Sequence, residues 1–186
     1  MPVEVRCESA GARRYVERLR SEALALLRAS ALEACELSLM IVDDPGIRVL
    51  NREFRGKDRA TDVLAFPQFH GQVGRVRTAL SAVHTRTTRR ATARSGAAAP
   101  DAPPLPIGDV VISLDTARRQ AAAGGIKPSE RLRILLIHGF LHLLGYDHER
   151  SAIAARRMFA RERELLAYLE RRPRQPAPER RRRALR

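Results

Sequence analysis

The chain has 186 residues, 44% of them hydrophobic, and its 35 Lys and Arg outnumber 21 Asp and Glu for a net charge of +14. The apolar share suffices for one sizeable core. No apolar run reaches the roughly 20 residues of a membrane span, and the start, MPVEVRCESAGARRY, lacks a signal peptide's apolar segment, so a cytoplasmic protein with no membrane partner is expected. Cys7 and Cys35 exclude a disulfide framework and read as free, apolar fillers. Only Lys57 and Lys127 are lysines, so the positive charge is nearly all guanidinium, a planar fork suited to phosphate. RNA or DNA is the first partner this suggests, although an Ala- and Arg-rich composition also follows from GC-rich codons.

Val3 to Arg6 alternates apolar and charged residues, as a first strand does. From Ala12 to about Ser30, Tyr15, Val16, Leu19, Ala23, Leu26 and Leu27 recur at three- and four-residue steps, which predicts an amphipathic helix. In ELSLMIVD, residues 36–43, a strand puts Leu37, Leu39 and Ile41 on one face and Met40 and Val42 on the other. Asp44 is the expected cap of a short helix from Pro45 to Phe54, with Ile47, Leu50 and Phe54 inward. A polar loop rich in charge, RGKDRATD, then enters a strand from Val63 to Phe66, which Pro67 ends.

Residues 68–106, which include HTRTTRRATARSGAAAPDAPPLP, show no sustained periodicity and read as an exposed, flexible insertion whose His70 and His84 face solvent. Order resumes with the strand IGDVVISL from Ile107. Its Asp109 either orients a ligand histidine or faces solvent. Asp115 is the expected cap of a helix to about Ala123, Pro128 and Ser129 open the next, and a last helix from about Glu149 to Arg171 carries an apolar stripe of Ile153, Met158, Phe159, Leu165, Leu166 and Leu169. Residues 172–186, with Arg180 to Arg183 in a run, read as a disordered basic tail that attracts phosphates without specificity.

The strongest chemical signal is ILLIHGFLHLLGYDH, residues 134–148, which holds three of the five histidines. His138 and His142 are four apart and project from one face of a helix. His148 can join them only if the chain reverses, and Gly145 is the residue type that permits it. Three neutral imidazoles with an open fourth position describe a catalytic zinc site. The frame HGFLHLLGYDH also matches the metzincin pattern HExxHxxGxxH, except that Gly139 stands where the peptidase has its glutamate base. A peptidase built on this cage needs Asp147 or Glu149 to reach the water from another direction. With this site included, residues 1–171 read as one metallo-hydrolase domain carrying the 68–106 insertion.

Three blocks, LNREFRGKDRATDVLAFP (50–67), IGDVVISLDTARRQA (107–121) and HGFLHLLGYDH (138–148), together resemble the YbeY-type zinc-dependent endoribonucleases that mature bacterial ribosomal RNA. The resemblance covers residues 1–67 and 107–170. It implies an α+β, zincin-like fold with a mixed β-sheet flanked by helices and the metal site on a helix of the C-terminal half. It also implies one zinc ion per chain on His138, His142 and His148, and Arg55 as the catalytic arginine near the metal. The activity implied is cleavage of single-stranded RNA in maturation of the 16S rRNA 3′ end and in ribosome quality control, with ribosomal RNA or a ribosomal subunit as partner. Asp147 is the nearest candidate base. Ala65 departs from the serine common in the family's DVLSF block, and the stretch between Pro67 and Ile107 is longer than usual. The alternatives are a zincin-type zinc peptidase and a non-catalytic RNA-binding ribosome-assembly factor with a structural zinc.

Overall fold

A four-stranded sheet organises the protein in a computed structural model that describes residues 2–68 and 104–172. The strands are β1 (Val3–Cys7), β2 (Cys35–Val42), β3 (Val63–Pro67) and β4 (Leu105–Ser113), in the spatial order β1-β2-β4-β3. β1, β2 and β4 run parallel and β3 runs antiparallel to β4, so the sheet is mixed. Helices α1 (Arg13–Ala29), α2 (Asp44–Arg55), α3 (Leu114–Ala123), α4 (Pro128–Leu143) and α5 (Ala152–Arg171) flank it, and the expected α+β class holds. None of the described helices is long and apolar enough to cross a membrane. The body of the expected insertion, with His70 and His84, and the arginine-rich tail lie outside the described residues.

Strand alternation sorts the side chains as their sequence suggests. Leu37, Leu39, Ile41, Val110 and Ile112 are fully buried in the main core with α1, α4 and α5, while Val42, Leu64 and Val111 form a smaller core with Ile47 of α2. Burying apolar surface on both faces fixes the sheet between two helical layers, and α4 lies in the larger one. Glu22 of α1, itself buried, takes Arg133 of α4 on one carboxylate oxygen at 2.8 Å and Arg18 at 2.9 Å, which ties α1 to α4.

Several local expectations are corrected. Asp43, not Asp44, caps α2 by accepting the Gly46 N–H at 2.8 Å, because the Asp44 carboxylate is drawn instead to Ser113, Thr116 and Arg119. Likewise Ser113 caps α3 through the Thr116 N–H at 3.1 Å, and Asp115 sits inside the first turn, where it accepts the Asp44 N–H at 3.3 Å. α5 begins after Ser151, whose hydroxyl accepts the Ala154 N–H at 3.1 Å, so residues 149–151 are not helical. Leu105 and Pro106 belong to β4 rather than to the insertion, since they pair with Cys35 and Glu36. Phe54, Ile153 and Phe159 are exposed despite their apolar register, Phe54 with its ring steeply inclined to that of Phe66. Cys7 and Cys35 are free, and burial pushes the Cys35 thiol up to about 11.

Candidate metal centre

α4 delivers two histidines by its own periodicity and a third through the way it ends. The Gly145 N–H returns to the His142 carbonyl at 2.9 Å and the Tyr146 N–H to that of Leu141 at 3.0 Å, with Gly145 at φ 85°, a left-handed helix end that sends the chain back along α4. His148 is thereby returned to the others. Ring centroids lie 4.7 Å apart for His138 and His142, 5.1 Å for His138 and His148, and 5.4 Å for His142 and His148. One nitrogen from each ring falls within 4.8 Å of the others, and all three residues are half-buried.

The donor set fits a small cation. Nε2 of His138 and Nε2 of His142 are 3.1 Å apart. Two nitrogens on one tetrahedral zinc are separated by about 3.4 Å when each bond is about 2.0–2.1 Å. His138 Nδ1 meets Oε1 of Glu162, from α5, at 2.6 Å. A carboxylate there takes the N–H on Nδ1 and leaves Nε2 with its lone pair bare, the tautomer that a metal ligand requires. Burial, reinforced by the neighbouring His138 and His148, lowers the pKa of His142 and favours the neutral imidazole. Nδ1 of His148 is buried without a hydrogen-bond partner among the described residues.

Gly139 explains why no glutamate follows the first histidine. A Cβ there would lie 2.7 Å from Cγ1 of Val110 and 3.1 Å from Cγ2 of Val63, so this position of α4 is pressed against the sheet. The space a side chain would need there is filled by strands β4 and β3. Asp109 stands between Phe66 and Ser38 in register, next to the Val110 that faces α4, and the carboxylate on His138 is Glu162 instead. Asp147 accepts the Glu149 N–H at 2.9 Å and so helps shape the turn that carries His148.

Arg55 is not part of the histidine cluster. It is exposed in the last turn of α2, on the other layer of the sheet. The two layers approach at one end of β3, however. Phe54 packs on Phe66 with centroids 5.1 Å apart, Phe66 pairs with Asp109, and a Cβ on the adjacent Gly108 would meet Leu143, the neighbour of His142, at 3.0 Å.

The family model for endoribonuclease YbeY matches residues 5–170. The chain belongs to the YbeY endoribonuclease family. Among YbeY relatives, the endoribonuclease YbeY of Geobacter metallireducens is 43% identical over 155 residues, which cover 83% of this chain and 86% of that protein. The endoribonuclease YbeY of Anaeromyxobacter dehalogenans is 41% identical over 165 residues, 89% of this chain and 70% of that protein. A solution structure of a Thermotoga maritima protein has the same fold, with a TM-score of 0.56 at 21% identity, over 90% of this chain and 88% of that one. Against this YbeY frame, Glu162 is the residue that sequence reasoning missed. Its signal was a carboxylate in the middle of the stripe formed by Met158, Leu165 and Leu169, all buried.

Proposed function

We propose that the chain is a zinc-dependent endoribonuclease that cleaves single-stranded RNA in ribosomal RNA maturation, at the 16S rRNA 3′ end, and in ribosome quality control. The observation that carries this is the convergence of three imidazoles with one of them oriented by Glu162. His138, His142 and His148 would hold one zinc ion. When bound there, zinc supplies a Lewis acid for a phosphoryl oxygen and lowers the pKa of water to about 7. Glu162 keeps the proton on Nδ1 of His138 throughout, and Arg55, brought round the end of β3, stabilises charge developing on the phosphate. Residues 1–171 act as one domain in the cytoplasm, with a ribosomal subunit as the partner that presents the RNA.

A zinc peptidase is disfavoured by Gly139, which lacks the glutamate base and at whose position a side chain would have to displace Val110. The experiment is metal content by mass spectrometry on untagged protein, wild type against His142→Ala, with both assayed on single-stranded RNA. About one zinc per chain, with metal and cleavage lost together in a folded variant, is the expected result. A wild type that folds without metal overturns the zinc centre. Unfolding of His142→Ala, with Arg55→Ala leaving function intact, would favour a structural zinc in an RNA-binding assembly factor.

A further inference from the structure

The outer face of α2 carries Arg48, Arg52 and Arg55 at steps of four and three residues, which sets their side chains in one row. After Gly56 the chain folds back along this row. The buried Asn51 fixes the return, with its Nδ2 donating to the Arg59 carbonyl at 2.7 Å and its own carbonyl accepting the Lys57 N–H at 3.2 Å. Between helix and returning chain lies a groove of about 750 Å³. Pro45, Val49 and Ala60 give it an apolar floor, on which Val49 is 49% exposed, and Arg48, Arg52 and Arg59 give it a cationic rim. Asp44, paired with Arg119, and Asp58 also line it, and Asp58 is the one that meets the rim arginines. This carboxylate takes Nε and one terminal nitrogen of Arg48 at 2.8 Å each and stands 3.9 Å from Arg52.

The groove runs along the same helix that carries Arg55 and Phe54, the latter packed on Phe66 of β3. From Arg55 to Arg48 is seven residues, about 10 Å along the helix axis. A single RNA strand alternates an anionic phosphate with a flat, largely apolar base, and the groove offers a surface for each: guanidinium groups at the rim and a bare aliphatic floor. An acidic peptide would satisfy the rim and leave the floor exposed.

We propose that the α2 groove is a second RNA-contact site, which holds a phosphate and a base of a single strand about 10 Å along α2 from Arg55. This rests on the endoribonuclease reading of the histidine centre. Asp58 acts as a built-in competitor: it occupies the Arg48 fork until a phosphate displaces it, so the site tolerates RNA without holding it too tightly.

The test is binding of a 20-nucleotide 2′-O-methyl uridine strand, which resists cleavage, to the full chain by fluorescence anisotropy across roughly 50–300 mM salt. Arg52→Ala/Arg59→Ala should flatten the plot of log K against log salt by about 1.4, from about 0.7 for each lost single-strand contact. Arg163→Ala/Arg171→Ala removes the same charge from exposed positions on α5 and should change the slope less. Asp58→Asn should tighten binding more than Glu170→Gln, which removes the same negative charge from an exposed position on α5. Equal slopes for the two arginine pairs, binding by Asp58→Asn no tighter than by Glu170→Gln, or an oligoglutamate that competes as well as RNA would each overturn the groove. Cleavage of an unmodified strand is scored separately. An inactive wild type with the expected slope loss overturns the proposed activity and supports the groove, while an active one without the slope loss does the reverse.

Discussion

Gly139→Ala tests how α4 is seated. The added Cβ would lie 2.7 Å and 3.2 Å from the two methyls of Val110 and 3.1 Å from a methyl of Val63. Carbon atoms in contact prefer about 3.5–4.0 Å, so the first approach is close by about 1 Å. Val110 has no exposed surface, and a β-branched side chain in a strand has little freedom to turn aside. Overpacking of this kind costs about 1–3 kcal/mol, against a gain of about 1 kcal/mol from replacing glycine by alanine inside a helix. Because the nearest contact is with stiff, buried atoms, the expected net loss is about 1–2 kcal/mol, the upper part of that difference. Urea unfolding monitored by circular dichroism measures it. Val110→Ala removes both offending methyls, so in that background the same substitution should lose most of its penalty, a coupling of about 1–2 kcal/mol. Gly139→Ala that stabilises the wild type by about 1 kcal/mol, the helix-propensity increment alone, would refute the close approach.

Glu162→Gln leaves an acceptor on His138 but removes the negative charge, and Glu162→Ala removes both. Zinc affinity, measured by chelator competition, should fall about 10- to 100-fold in the alanine variant and less in the glutamine variant, with the helical content of both retained. Asp44 offers a pH-dependent case. Burial alone would push its carboxyl up, but hydrogen bonds from Arg119, Ser113 and Thr116, with the Arg119 charge, outweigh it and hold the carboxyl at about 2. A folded value below the unfolded one stabilises the protein above about pH 4, and that stability is lost as the pH falls from about 4 toward 2. With Arg119 largely exposed, the contribution is about 1 kcal/mol. Asp44→Asn should cost that much in urea unfolding at neutral pH and little near pH 2.

The histidine centre was legible because its geometry is local: a four-residue step, a glycine and a short return need nothing beyond helix periodicity and one left-handed residue. The alternation of Leu37, Leu39 and Ile41 against Val42 was legible for the same reason. Choices between neighbours were not. Asp43 and Asp44 are chemically equal caps, and what separates them is that Ser113, Thr116 and Arg119, about 70 residues away, claim Asp44. Glu162 was hidden for a similar reason, since its partner His138 is 24 residues distant and only the packing of α5 on α4 joins them. Phe54 and Phe159 kept the helical register of core residues, yet each stays exposed with one ring beside it, Phe66 for Phe54 and His148 for Phe159.

The bond from Glu162 to His138 gives the end of the chain a say in chemistry encoded before it. All three histidines are in place once residue 148 has been made, but the carboxylate that fixes His138 arrives fourteen residues later, on a helix whose Leu165 and Leu169 must still pack before it is held. A chain cut short within α5 would therefore own a full set of imidazoles and no means of keeping one of them turned the right way. An intact α5 is thus a condition for an oriented His138, although none of the three imidazoles belongs to that helix.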